Sequence, residues 1–194
     1  MVVWEQVRCR GTIHGLVKER PSGRAVGGAL VEIISPAPLA AQSHSAADGH
    51  FHFMELPEGE YSLRVSLPGS GSRYGKPEVK VNVSTDAQGN AKLTFTEIAL
   101  PATSLKGKIT SAGDDTPGGE PPMDEPVVMA EIKLKGSGEQ TFSDGAGEYL
   151  LSGVEAGKNR TLLISARGYR TTSQPVDFSS TGVIKIMNIK LDKE

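Results

Sequence analysis

Apolar and polar positions alternate along this chain in short runs bounded by turn residues, and no stretch sustains the three-to-four spacing of an amphipathic helix. The first run spans Val7 to Lys18, alternating through Cys9, Gly11, Ile13 and Gly15. The second, Ala29 to Ile34, stops at Ser35-Pro36-Ala37-Pro38, where proline cannot supply ladder donors. Asp48-Gly49 then marks a tight turn, because glycine tolerates the positive φ such turns need. Beyond it, Phe51, Phe53 and Leu56 are predicted to face a core, with His50 and His52 outward. Pro57 to Gly59 turns the chain again, and Tyr61, Leu63 and Val65 resume the alternation. Val79 to Val83 and Leu93 to Leu100 read as the last strands of this half, separated by a polar turn over Ser84 to Asn90.

The second half repeats the plan. Leu105 to Ile109 plays the part of Thr12 to Val17, and Val127 to Leu134 that of Ala29 to Ile34. Ser143 to Gly157 aligns with Ser45 to Gly59, aromatic for aromatic and glycine for glycine. Thr161 to Ala166, Gln174 to Phe178 and Val183 to Leu191 complete the set. The pattern predicts an all-β chain of two tandem seven-strand-type Greek-key β-sandwiches, residues 1-100 and 101-194, joined by a connection near Leu100-Pro101-Ala102-Thr103 too short to act as a free linker. The second copy carries an insertion over 113-126 whose proline, glycine and acidic residues oppose both helix and ladder. It is expected to be a solvated loop.

Composition narrows the chemistry. A formal net charge of -2, with basic residues scattered, lacks the field that holds a polyphosphate backbone, so nucleic acid is not an expected partner. The apolar runs are too short to span a bilayer, and no membrane insertion is expected. Cys9 is the only cysteine, so no internal disulfide can form and each sandwich must stand on its core. Met1 to Gln6 shows neither a basic nor an apolar leader region, which favours the cytoplasm over export.

The Asp-Gly turn and the strand pair after it resemble the carboxypeptidase regulatory-like family of transthyretin-like, immunoglobulin-like β-sandwiches. The first copy shows Gly15-Leu16-Val17, Gly28-Ala29-Leu30-Val31, Asp48-Gly49-His50-Phe51 and Leu56-Pro57-Glu58-Gly59-Glu60-Tyr61. The second shows Gly107-Lys108-Ile109, Asp144-Gly145-Ala146-Gly147-Glu148-Tyr149, Val154-Glu155-Ala156-Gly157 and Gly168-Tyr169. Both depart from the family pattern: Ser45-Ala46 stands where Thr-Asp is usual, and Asn159-Arg160 lies near the second copy's expected tyrosine. The resemblance implies a folding, docking or ligand-binding accessory attached to enzymes, transporters and surface or assembly proteins. Fold likeness does not hand over function.

Candidate chemistry is sparse. His50 and His52 share one strand face, yet sequence fixes no third ligand beside them, so no metal or other cofactor is expected. Asp48 and Asp144 lack the spacing of a calcium loop and read as turn formers. No nucleophile elbow or phosphate-cradling loop occurs, the Tyr-Arg-Gly-Ser ending of hydroxyisourate hydrolases is absent from Met187 to Glu194, and the paired tyrosine and histidine ligands of intradiol dioxygenases have no matching pattern. No catalytic residue is expected. Trp4, Tyr74 and Tyr169 are the aromatic candidates for a ligand or partner surface. The expected role is a non-catalytic structural or adaptor protein that meets protein partners in a larger assembly: a surface, pilus-like or phage-tail-like apparatus, or an enzyme accessory subunit. A carbohydrate-binding module is the alternative, with a glycan as its partner.

Overall fold

The computed structural model describes residues 11–37, 39, 41–86, 90, 92–111 and 124–194. The chain divides into two compact units, Met1–Pro101 and Ala102–Glu194. The first unit contains β1 (Gly11–Arg20), β2 (Leu30–Ser35), β3 (Gln42–His44), β4 (His50–Leu56), β5 (Gly59–Ser66), β6 (Glu78–Val83) and β7 (Leu93–Pro101). They form a three-stranded sheet, β4-β1-β7, and a four-stranded sheet, β3-β2-β5-β6. The inward residues of both sheets make one core, with Ile13, Val17, Val31, Phe51, Leu63, Val65, Ile98 and Leu100 essentially sealed from solvent. Burial of each such side chain contributes about 1.5–3 kcal/mol, so a core of this kind holds the unit without a disulfide.

The second unit reproduces the design with β8 (Ser104–Ser111), β9 (Glu131–Leu134), β10 (Gln140–Phe142), β11 (Glu148–Ser152), β12 (Gly157–Ser165), β13 (Thr172–Phe178), β14 (Ile184–Ile186) and β15 (Ile189–Leu191). Its sheets are β11-β8-β14, with β15 also on β8, and β10-β9-β12-β13. A separate core gathers Leu105, Ile109, Ile132, Leu134, Leu162, Ile164 and Leu191. No helix occurs among the described residues, and none is long and apolar enough to cross a membrane.

One buried serine organises each unit. The Ser45 hydroxyl donates to the Val26 carbonyl at 2.6 Å and accepts from the Ala29 amide at 2.9 Å. Ser143 does the same with Val127 and Ala130, at 2.6 and 2.9 Å. Both serines are buried, so both polar ends of the hydroxyl find partners where water cannot serve. Gly49 and Gly147, at φ 83° and 75°, turn the chain just after. The departure at Ser45-Ala46 is compensated locally. Asp144 Oδ1 accepts from the amides of Ala146 and Glu148, while Asp48 Oδ1, later in the same turn, accepts from the amide of His50, the counterpart of Glu148.

Three expectations are corrected. The strand read over Val127 to Leu134 begins only at Glu131. Val127 and Ala130 are held off the ladder by Ser143, and Met129 takes a left-handed φ of 57°, as Gly28 does at 74° in the first unit. The strand read over Val183 to Leu191 is broken at Met187-Asn188, where the Asn188 side chain accepts from the Lys108 amide. β3 and β10, three residues each, were not anticipated. Of the strand read over Val7 to Lys18, the residues before Gly11 lie outside the described ones, as do Cys9 and positions 113–123 of the insertion.

Candidate functional site

The outer face of β4-β1-β7 gathers exposed apolar side chains and imidazoles. Register places His14 between His52 on β4 and Phe95 on β7, and Leu16 between His50 and Glu97. Met54, Leu93 and Phe95 are 66%, 63% and 59% exposed, which is unusual for three large apolar side chains on one small sheet. His14 stacks on His50 with ring centroids 5.1 Å apart and planes 10° from parallel, and meets Phe95 edge-on at 5.8 Å. Lys18 pairs with Glu97 at 2.7 Å beside this patch.

The bulge that admits Leu56 to the core also shapes the patch. Glu55 takes a left-handed φ of 59°, and the β1–β4 register shifts between Gly11 and Ile13. Phe53 and Leu56 thereby both face inward, and Met54 is left outside. His50 Nδ1 lies 3.1 Å from Asp48 Oδ2, and the hydrogen bond from the His50 amide is the chief reason the Asp48 carboxyl titrates below its ordinary range.

His50 and His52 occupy the outward face of β4, but the geometry does not focus them on an ion. An imidazole nitrogen offers its lone pair in the ring plane, so His14 and His50, stacked face to face, do not aim at one point. Among the described residues no group of three or more His, Cys, Asp or Glu side chains could hold a metal.

The aromatic candidates are placed differently. Tyr74 is half-buried against the first core and donates its hydroxyl to Glu19 Oε2 at 3.0 Å; burial, then this carboxylate, pushes its phenol up. Glu19 is itself buried. Tyr169 packs on the second core and bridges to Lys193. Neither is a free platform, and Trp4 lies outside the described residues. Sequence reasoning passed over Met54, Leu93, Phe95 and His14. The signal was present on β7, because Leu93 and Phe95 are odd positions whereas the core-facing Ile98 and Leu100 are even. One alternating strand cannot bury both sets.

The family models decide the wider relationship. Residues 12–96 match the carboxypeptidase regulatory-like domain, and residues 120–194 match the CarboxypepD_reg-like domain. The chain is a tandem of two carboxypeptidase regulatory-like domains. No curated protein matches it by sequence. Among solved structures, the tandem is similar to the TIE protein of Bacillus anthracis at 17% identity and TM-score 0.42, over 95% of this chain and 34% of that one. This chain therefore spans about a third of that relative's length. It is similar to GBS52, the minor pilin of Streptococcus agalactiae, at 13% identity and TM-score 0.32, over 95% of this chain and 96% of that one. It is also similar to the shaft pilin SpaA of Lactobacillus rhamnosus GG, at 11% identity and TM-score 0.37, over 95% and 97%.

Proposed function

We propose that this tandem of carboxypeptidase regulatory-like domains is a non-catalytic structural or adaptor protein, which presents sheet faces, loops and edge strands to protein partners in a larger assembly. The observation behind this reading is the outer face of β4-β1-β7. Exposed Met54, Leu93 and Phe95 are grouped there around paired imidazoles, where an isolated domain would place charged residues. Such a face suits a protein surface better than a small substrate, since it is an apolar patch and not a convergent set of titratable groups. The family relationship agrees with an accessory role.

Recovery of the native protein from its own cells under gentle conditions, followed by size analysis, tests the reading. A defined complex that dissolves on Phe95→Glu, with circular dichroism unchanged, is the expected result. A lone monomer that retains a bound sugar overturns it in favour of carbohydrate binding.

A further inference from the structure

The two units differ at the open side of the sandwich, where the last strand of one sheet meets the last strand of the other. In the first unit β6 closes against β7: the Lys92 amide donates to the Ser84 carbonyl at 3.3 Å, and Thr94 Oγ1 donates to the Asn82 carbonyl at 3.3 Å. In the second unit Lys185 occupies the place of Thr94 and Asp177 that of Asn82. The same connection is made there by the long lysine, whose Nζ donates to the Asp177 carbonyl at 3.3 Å. A threonine spans a narrow gap and a lysine a wide one. The second unit accordingly has a groove of about 450 Å³ between Asp177–Ser180 and Val183–Ile186, with exposed Val183 and Ile186 and the Phe178 residue on its walls.

Among the described residues, the edge beside this groove has unpaired backbone. Val183 accepts from the Ser104 amide and Met187 donates to the Lys106 carbonyl. In a parallel ladder alternate residues bond to one neighbour, so the peptide groups of Ile184 and Ile186 point the other way, where β14 has no partner strand among the described residues.

We propose that β14 is a strand-addition site for an extended segment of a partner protein, with an acidic residue opposite Lys185 and apolar residues on either side. The geometry specifies these terms. Ile184 and Ile186 each offer one donor and one acceptor in the spacing of an antiparallel pair, which only an extended backbone can satisfy. The apolar flanking residues would lie across the strand from Ile184 and Ile186, and the acid would face the Lys185 side of the groove. A second copy of this chain fits poorly, because antiparallel pairing of two β14 strands sets Lys185 against its own counterpart. The proposal rests on the assembly reading above and supplies it with a second surface, distinct from the Phe95 face.

The test uses the full chain, labelled with ¹⁵N, and a blocked peptide of sequence Thr-Val-Glu-Val-Thr. At millimolar peptide the amides of Ile184 and Ile186 are expected to shift and to exchange more slowly with solvent, while those of β7 stay put. Replacing the peptide's glutamate by lysine weakens binding about twofold to fivefold, the range of a cross-strand charge pair, and Lys185→Glu reverses that preference. Ile184→Pro, a change an edge strand tolerates, abolishes binding with the remaining spectrum intact. Unmoved Ile184 and Ile186 amides overturn the proposal. So does concentration-dependent self-association that Ile186→Glu abolishes, which assigns the edge to a second copy. A native complex that dissolves on Phe95→Glu but survives Ile184→Pro leaves the assembly reading standing and removes this one.

Discussion

The two units share a frame down to single hydrogen bonds and differ on nearly every surface that frame presents. The buried serine, the glycine turn and the glycine–aromatic pairing recur: Gly15 lies opposite Phe51, and Gly107 opposite Tyr149. Outside the frame the correspondence ends. The positions of His14, His50, His52 and Phe95 are filled by Lys106, Glu148, Leu150 and Ile186, which turns an imidazole and aromatic patch into a lysine-bearing one. What the copies retain is what burial and backbone geometry require. What they have lost in common is where separate partners would be read.

The frame can be broken at its closest approach. A Cβ on Gly107 would lie 1.8 Å from the Met187 carbonyl oxygen, whereas one on Gly15 would meet the Phe51 ring at 2.3 Å and the equivalent backbone oxygen, that of Thr96, only at 2.9 Å. Backbone cannot swing aside as a side chain can. Gly107→Ala is therefore expected to cost about 3 kcal/mol or more and to free β14 and β15, and Gly15→Ala about 1–3 kcal/mol. Urea unfolding followed through amide signals of each unit measures both. Equal losses would show that the two glycines meet equivalent obstacles.

The shared serines give a sharper comparison. Ser45→Ala and Ser143→Ala each remove one hydroxyl that serves a buried carbonyl and a buried amide, so each is expected to cost about 1–3 kcal/mol. The same melts should show the two losses agreeing within about 0.5 kcal/mol, each confined to its own unit. A loss in one unit only would mean that the second copy has come to depend on something other than this turn.

Much of this frame was legible in the sequence because it follows from alternation and from glycine. Phe51, Phe53, Tyr61, Leu63 and Val65 all face the core as their spacing predicts, and Leu56 joins them through the bulge at Glu55. β3 and β10 were hidden because three residues are too few to show a period. β9 was overread because apolar Val127 and Ala130 sit in a turn whose polar backbone is satisfied by a serine far along the chain. The surface was harder to read. Its patch depends on which residues β1 sets side by side, and His14 and Phe95, 81 positions apart, meet only through that parallel register. Tyr74, singled out as a ligand platform, is instead tied to buried Glu19, a partner 55 residues away that no local pattern announces.

The smallest expected effect concerns the one atom by which the glycine–aromatic pairs differ. Phe51 has no hydroxyl, whereas Tyr149 donates to the Met187 carbonyl at 2.8 Å and so fastens the start of the break between β14 and β15. Burial pushes the Tyr149 phenol well above its ordinary 10.0. The folded state thus favours the neutral phenol. Its contribution is fully present below pH 10, and it is lost as pH rises from there toward the folded-state value. Tyr149→Phe should cost about 1 kcal/mol at neutral pH, for the lost hydrogen bond. Above pH 10 the gap should close and then reverse, since the variant has no buried phenol to ionise at that position. Tyr61 and Tyr74 are shifted the same way, so the first unit also weakens in alkali, but by an amount that Tyr149→Phe leaves untouched. Thermal melts of wild type and variant between pH 7 and about pH 12 separate the cases, because ionisation follows the phenol's own titration range. Parallel curves would mean that Tyr149 reaches water, and coincident curves that the bond to Met187 does not hold the final strand in place.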